Sequence, residues 1–129
     1  EMSLSILGKE ALEGPIGSHM SYVGTDPDSI NNYCRAYNVD FLGDGLIIAN
    51  LRVSGGSTQA NYSELVSTII VNNKIVSQNY SIAAQSGGGF YTSTSSTESV
   101  RQGANTIRLC GGVRGVTNPA VTLSVSLIQ

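Results

Sequence analysis

The chain has 129 residues and 13.5 kDa, enough for one ordinary domain, with a formal net charge of -2 and only 12% charged residues. In their place stand 18 Ser, 15 Gly, 10 Asn and 9 Thr, together roughly 40% of the chain. With no basic excess, binding nucleic acid by charge is excluded. No apolar run approaches the ~20 residues of a membrane-spanning helix, so no membrane insertion is expected. The 40% hydrophobic share, rich in Val, Ile and Leu, is enough to build a core.

Residues 1–20 differ in character from the rest of the chain. Glu1, Lys9, Glu10 and Glu13 crowd a stretch that ends in Gly17-Ser18-His19-Met20, the residue pattern left by common cloning sites. We expect this segment to be an expression tag or fusion remnant and residues 21–129 to be the single native domain. That domain then carries six basic and six acidic residues, a net charge of zero, and no His.

Ser21 to Asn32 is rich in turn formers and is expected as an entry loop, with Asp26-Pro27-Asp28-Ser29 as a type I turn. Asp26, Asp28 and Asn31 could suggest a calcium loop, but they lack the glycine and terminal Glu of a calcium-binding hand, and the turn is favoured. Tyr33 to Phe41 alternates with period two, as a half-buried strand does, and Gly43-Asp44-Gly45 breaks it. A second strand covers Leu46 to Val53 and is expected to end at Gly55-Gly56-Ser57. Tyr62 to Val71 and Lys74 to Ser81 flank Asn72-Asn73, two residues that tolerate positive φ, the sequence signal of a type I′ hairpin.

Beyond Gly87-Gly88-Gly89, expected as a flexible or closely approached stretch, lies a Ser/Thr-rich strand, Phe90 to Val100, expected to have one wet face. Thr106 to Cys110 forms another strand, Gly111-Gly112 and Gly115 loosen the next connection, and Asn118-Pro119 leads into the amphipathic run Ala120 to Gln129. Seven or eight short strands at this spacing, with no helical period after residue 20, predict an all-β fold: an antiparallel β-sandwich or jelly roll.

The residue inventory limits the chemistry. Without a native His no Ser-His-Asp or Cys-His arrangement can be assembled, and two Cys alone cannot close a zinc site. No cofactor fingerprint occurs; the glycine triplet lacks the Lys and helix of a phosphate loop. A paired-carboxylate hydrolase could use Asp40 and Asp44, but they read better as turn and surface residues. A non-enzymatic binding or structural domain is therefore expected. Cys34 and Cys110 either form a disulfide or stay as two buried thiols acting as small hydrophobes. The thiols are favoured, since two Cys do not by themselves fix an oxidising compartment. Tyr80, Phe90 and Tyr91 flank the glycine triplet and are the candidate ligand face; packing against neighbouring strands or a second subunit is the competing role.

From Ile70-Val71-Asn72-Asn73-Lys74-Ile75-Val76, through Gly103-Ala104-Asn105-Thr106-Ile107-Arg108-Leu109, to Leu123-Ser124-Val125-Ser126-Leu127-Ile128, the second half resembles the C1q/tumour-necrosis-factor-like jelly rolls. It is most similar to their bacteriophage and bacterial surface members, although Asn73 stands where Gly is commoner. The resemblance implies a homotrimeric head domain of a tail fibre, spike or cell surface that binds a saccharide or host receptor, located on a virion or outside the cell. The Gly103–Leu109 pattern also occurs in the monomeric carbohydrate-binding jelly rolls of secreted glycosidases, which usually carry a Trp that this chain lacks. A purely structural capsid or adhesin domain is the remaining alternative.

Overall fold

The computed structural model describes residues 2–4, 9–15, 21–25, 31–58, 63–83 and 87–128. At their centre, Asn72 and Asn73 adopt φ of 51° and 65°, the two positive values that a type I′ turn demands. This turn joins β6 (Ser63–Val71) to β7 (Lys74–Ala83). The chain pairs with itself outward from that point. Next come β5 (Gly45–Ser57) with β8 (Gly89–Val100), then β4 (Asn31–Phe41) with β9 (Gly103–Arg114). The outermost arm is β2 (Lys9–Pro15) with β10 (Val116–Ile128).

This long antiparallel ribbon is rolled into two sheets. One has the order β2-β10-β5-β8, and the other runs β4-β9-β6-β7. The result is an eight-stranded jelly roll, as the strand spacing predicted. Two short strands complete the second sheet on the free edge of β4: β1 (Met2–Leu4), which is parallel to it, and β3 (Ser21–Thr25), which is antiparallel. We call the four-stranded layer the β5 sheet and the other the β6 sheet.

Two expectations change at this level. The entry loop is in part a strand, because β3 pairs with the start of β4. The Asp26–Ser29 turn and Asp26 and Asp28 of the calcium reading lie outside the described residues, as do residues 16–20 with the cloning-site pattern. The segment expected to be a tag contributes β1 and β2 to the sheet edges. Glycines also interrupt less than expected. Gly111 and Gly112 lie buried within β9, and β5 continues through Gly55 and Gly56 to Ser57. A Cβ on Gly55 would overlap Val116 Cγ1, so the glycine lets the start of β10 lie close over the end of β5.

Period-two alternation divides each strand between core and surface. Tyr37, Val39 and Phe41 of β4 face inward with Ile47, Ala49, Leu51 and Val53 of β5. Leu65, Ile69 and Val71 of β6, Val100 of β8, Ile107, Leu109 and Val113 of β9, and Val121, Leu123, Val125 and Leu127 of β10 complete the core. Burying each large aliphatic side chain contributes about 1.5–3 kcal/mol.

At the β7/β8 margin the interior turns polar. Ser67 and Thr92 are buried and hydrogen-bond across the layers at 3.4 Å, Ser77 bonds Thr94, and Asn79 Nδ2 donates to the Ser93 carbonyl at 3.2 Å. These bonds close the side of the roll where apolar residues run out.

Cys34 and Cys110 are directly opposed in the β4/β9 register and form a disulfide, which corrects the preference for free thiols. The physical reason is the pairing itself: it brings two residues 76 apart in sequence to a Cα separation of 4.1 Å. In the chain-entropy account, a bridge over so long a loop contributes about 4 kcal/mol. Urea unfolding of Cys34→Ser/Cys110→Ser should show a loss of that order, about 2–5 kcal/mol. An unchanged midpoint would mean the bond contributes nothing.

Candidate functional site

The outward positions of the β5 sheet carry the hydroxyl- and amide-rich face that the composition anticipates. From β8 these are Tyr91, Ser93, Ser95, Thr97 and Ser99; from β5, Asn50, Arg52 and Ser54; from β10, Thr122, Ser124 and Ser126. Asn50, Arg52, Ser93, Ser95, Thr122 and Ser124 line a shallow groove of about 500 Å³ across the three strands. A second depression of about 420 Å³ adjoins it, bounded by Arg52, Ser54, Gly89, Phe90 and Tyr91, so that Arg52 belongs to both.

Arg52 and Tyr91 form the end wall. In the β5/β8 register Arg52 opposes Ser93, which makes Tyr91 its diagonal neighbour, within reach of a long side chain. The guanidinium carbon lies 4.3 Å from the ring centroid, a cation–π contact that fixes both groups. Tyr91 remains 54% exposed. On the groove floor Asn50 Nδ2 donates to Ser124 Oγ at 3.3 Å, orienting the amide toward β10.

The three aromatics expected to form one ligand face do not share a face. Phe90 and Tyr91 are sequence neighbours, so the pleat points them to opposite sides: Phe90 packs against the core and Tyr91 faces out. Tyr80 stands opposite Val66 on the outer side of the β6 sheet, 63% exposed. Sequence reasoning missed Arg52 and Asn50. Their signal was the run of polar residues at alternate positions of an otherwise apolar β5, Asn50, Arg52 and Ser54.

Chemically the groove offers a planar fork of donors, hydroxyls that donate or accept, an amide and an aromatic ring. Its lining contains no carboxylate and no imidazole. Asp44 is occupied elsewhere, accepting the Gln102 N–H at 3.0 Å, and Asp40 is exposed on the outer side of β4. Among the described residues no group of three His, Cys, Asp or Glu side chains could hold a metal ion.

No protein-family model matches this chain, and no curated protein sequence does. Among solved structures, dimeric latent PorU from Porphyromonas gingivalis superposes with a TM-score of 0.52 at 10% identity. The superposition covers 94% of this chain and 13% of that one. A family 35 carbohydrate binding module from Clostridium thermocellum gives a TM-score of 0.42 at 16% identity, over 90% of this chain and 97% of that one. A cycloisomaltooligosaccharide glucanotransferase from Paenibacillus sp. also gives 0.42, at 12% identity, over 92% of this chain and 16% of that one. The chain thus spans a small fraction of two of these proteins and nearly the whole of the third. At 10% identity the likeness to PorU is one of fold.

If the Arg52–Tyr91 contact orders the end wall, the two residues are energetically coupled. A double-mutant cycle of Arg52→Ala and Tyr91→Ala by urea unfolding should give a coupling of about 0.5–1 kcal/mol. Strictly additive losses would show that the pair does not interact.

Proposed function

We propose that this domain is a non-catalytic saccharide-binding module whose ligand lies along the outer face of the β5 sheet. The observation that carries this reading is the exposed Tyr91 ring, braced by Arg52 at one end of a neutral groove of Asn, Ser and Thr side chains. A sugar has apolar C–H faces suited to an aromatic plane, and hydroxyls that both donate and accept. This face supplies a partner for each without a charge cluster that would favour a phosphorylated ligand. A shallow groove across a sheet also suits a chain of sugars better than a single enclosed one. The disulfide fits a secreted or cell-surface setting, where such bonds persist.

The finer reading, a homotrimeric head on a viral fibre or bacterial surface, draws on the resemblance of residues 70–128. Support comes from Tyr80 and Ile82, large apolar side chains left exposed along β7, as at a subunit contact. Light scattering over a range of concentrations tests it. A stable trimer supports the head-domain reading, and a monomer leaves the single module.

Binding itself is tested on a glycan array followed by titration with the best ligand. Tyr91→Ala and Arg52→Ala should each weaken affinity at least about ten-fold, equivalent to roughly 1.4 kcal/mol, while Tyr80→Ala should not. An array without binding, or binding indifferent to both substitutions, would overturn the proposal.

A further inference from the structure

A second depression lies on the opposite side of the molecule, at the corner of the β6 sheet beside the Asn72–Asn73 turn. The pairing registers align Ala36, Arg108, Ile70 and Ile75 as one row across β4, β9, β6 and β7. In the next row Asn38 opposes Thr106. These residues alternate with the core positions Tyr37, Ile69 and Ile107, so the row faces outward. Asn38, Ile70, Asn73, Ile75, Thr106 and Arg108 line a cavity of about 300 Å³.

The turn is pinned against this corner. Asn72 Oδ1 accepts the Thr106 N–H at 2.9 Å, the Asn72 N–H donates to the Thr106 carbonyl at 2.9 Å, and Asn72 Nδ2 donates to Asn105 Oδ1 at 2.9 Å. Asn105 is in turn buried and held by the Arg101 and Gly103 carbonyls. Asn73 and Thr106 therefore stand beside each other as a preformed polar wall. Facing them is an aliphatic wall, in which Ile75 is left 56% exposed.

Between the two walls lies one full positive charge. Among the described residues no carboxylate pairs with Arg108, whereas Glu64 occupies Arg114 on the same sheet at 2.7 Å. A single guanidinium matches a single carboxylate in charge and in the geometry of a two-pronged hydrogen bond; a phosphate dianion calls for more cations. The volume is at the lower limit for ligand pockets, which restricts the occupant to a small molecule or one terminal residue. The Ile70 and Ile75 wall requires an apolar group next to the acid, and Asn38, Asn73 and Thr106 can bind an amide or hydroxyls beyond it.

We propose that this cavity binds a small monocarboxylate that carries an apolar substituent and an amide, with Arg108 as the carboxylate receptor. The chemistry is shared by N-acylated acidic sugars and N-acylated amino acids. This site is independent of the groove on the β5 sheet.

The test is an NMR titration of the intact chain with N-acetylneuraminic acid, N-acetyl-L-leucine and their methyl esters, following the Asn73, Thr106 and Arg108 amides. At least one acid should shift these signals in saturable fashion, with its ester binding at least about ten-fold more weakly. Arg108→Gln should weaken the acid by a similar factor while keeping a native spectrum, and Tyr91→Ala should leave it unchanged. The acid that binds identifies the source, sugar or amino acid. No shift with either acid at about 10 mM, equal binding of an ester, or binding unaffected by Arg108→Gln would overturn the proposal.

Discussion

Asn72 and Asn73 hold the one constraint from which the pairing in this molecule is counted. A two-residue turn with both φ values positive sets the first pairs of β6 against β7, Val71 with Lys74 and Ile70 with Ile75, and a bulge between Ile69 and Ile70 then shifts the register so that Ile69 opposes Ser77. The β5/β8, β4/β9 and β2/β10 pairs are successive arms of the same ribbon, each with its own antiparallel register. The turn is anchored as well as bent, since the Asn72 side chain and backbone both bond β9 and Asn105 beneath them is buried. An Asn-Gly turn would adopt the same φ values but, at the second position, would lose the amide that lines the corner cavity.

Rolling such a ribbon leaves one flank with too little apolar surface, and this chain fills it with hydroxyls. Ser67, Ser77, Thr92 and Thr94 would each cost free energy if buried alone, roughly 1–3 kcal/mol per unmet group. Paired across the β7/β8 margin, they offset that cost and fix which strand faces which. The same composition then has two distinct uses in β8. Thr92 and Thr94 point inward to close the flank, while Ser93 and Ser95 point outward into the groove.

How legible each feature is in the sequence depends on the range over which it is determined. The hairpin, the alternation of β10 and the wet face of β8 depend on neighbours one to four residues away, and they were legible. The disulfide was not, because Cys34 and Cys110 meet only after the β4/β9 register is known. Gly55, Gly56, Gly111 and Gly112 suggested breaks because their use, close approach or burial within a strand, depends on distant chain. The aromatic candidates failed as a group for a local reason: adjacency of Phe90 and Tyr91 guarantees that a strand separates them. Arg52 escaped notice because its partner Tyr91 is a diagonal neighbour on a strand 39 positions later.

Formal neutrality of residues 21–129 conceals an uneven distribution of charge. Glu64 spends its charge on Arg114 within one sheet face, and Asp44, in the turn before β5, accepts the Gln102 N–H of the β8/β9 turn. Arg52 is instead held by an aromatic ring, and Arg108 lies in a row whose other members are Ala36, Ile70 and Ile75. A weakly charged surface makes each such cation more consequential, since few neighbouring charges compete with an approaching ligand for it. With Arg52 on the outside of one layer and Arg108 on the outside of the other, the core separates the two proposed sites, a hydroxyl-rich groove and a single-charge cavity. Because each lies on a separate sheet, substitution of one should leave the other intact.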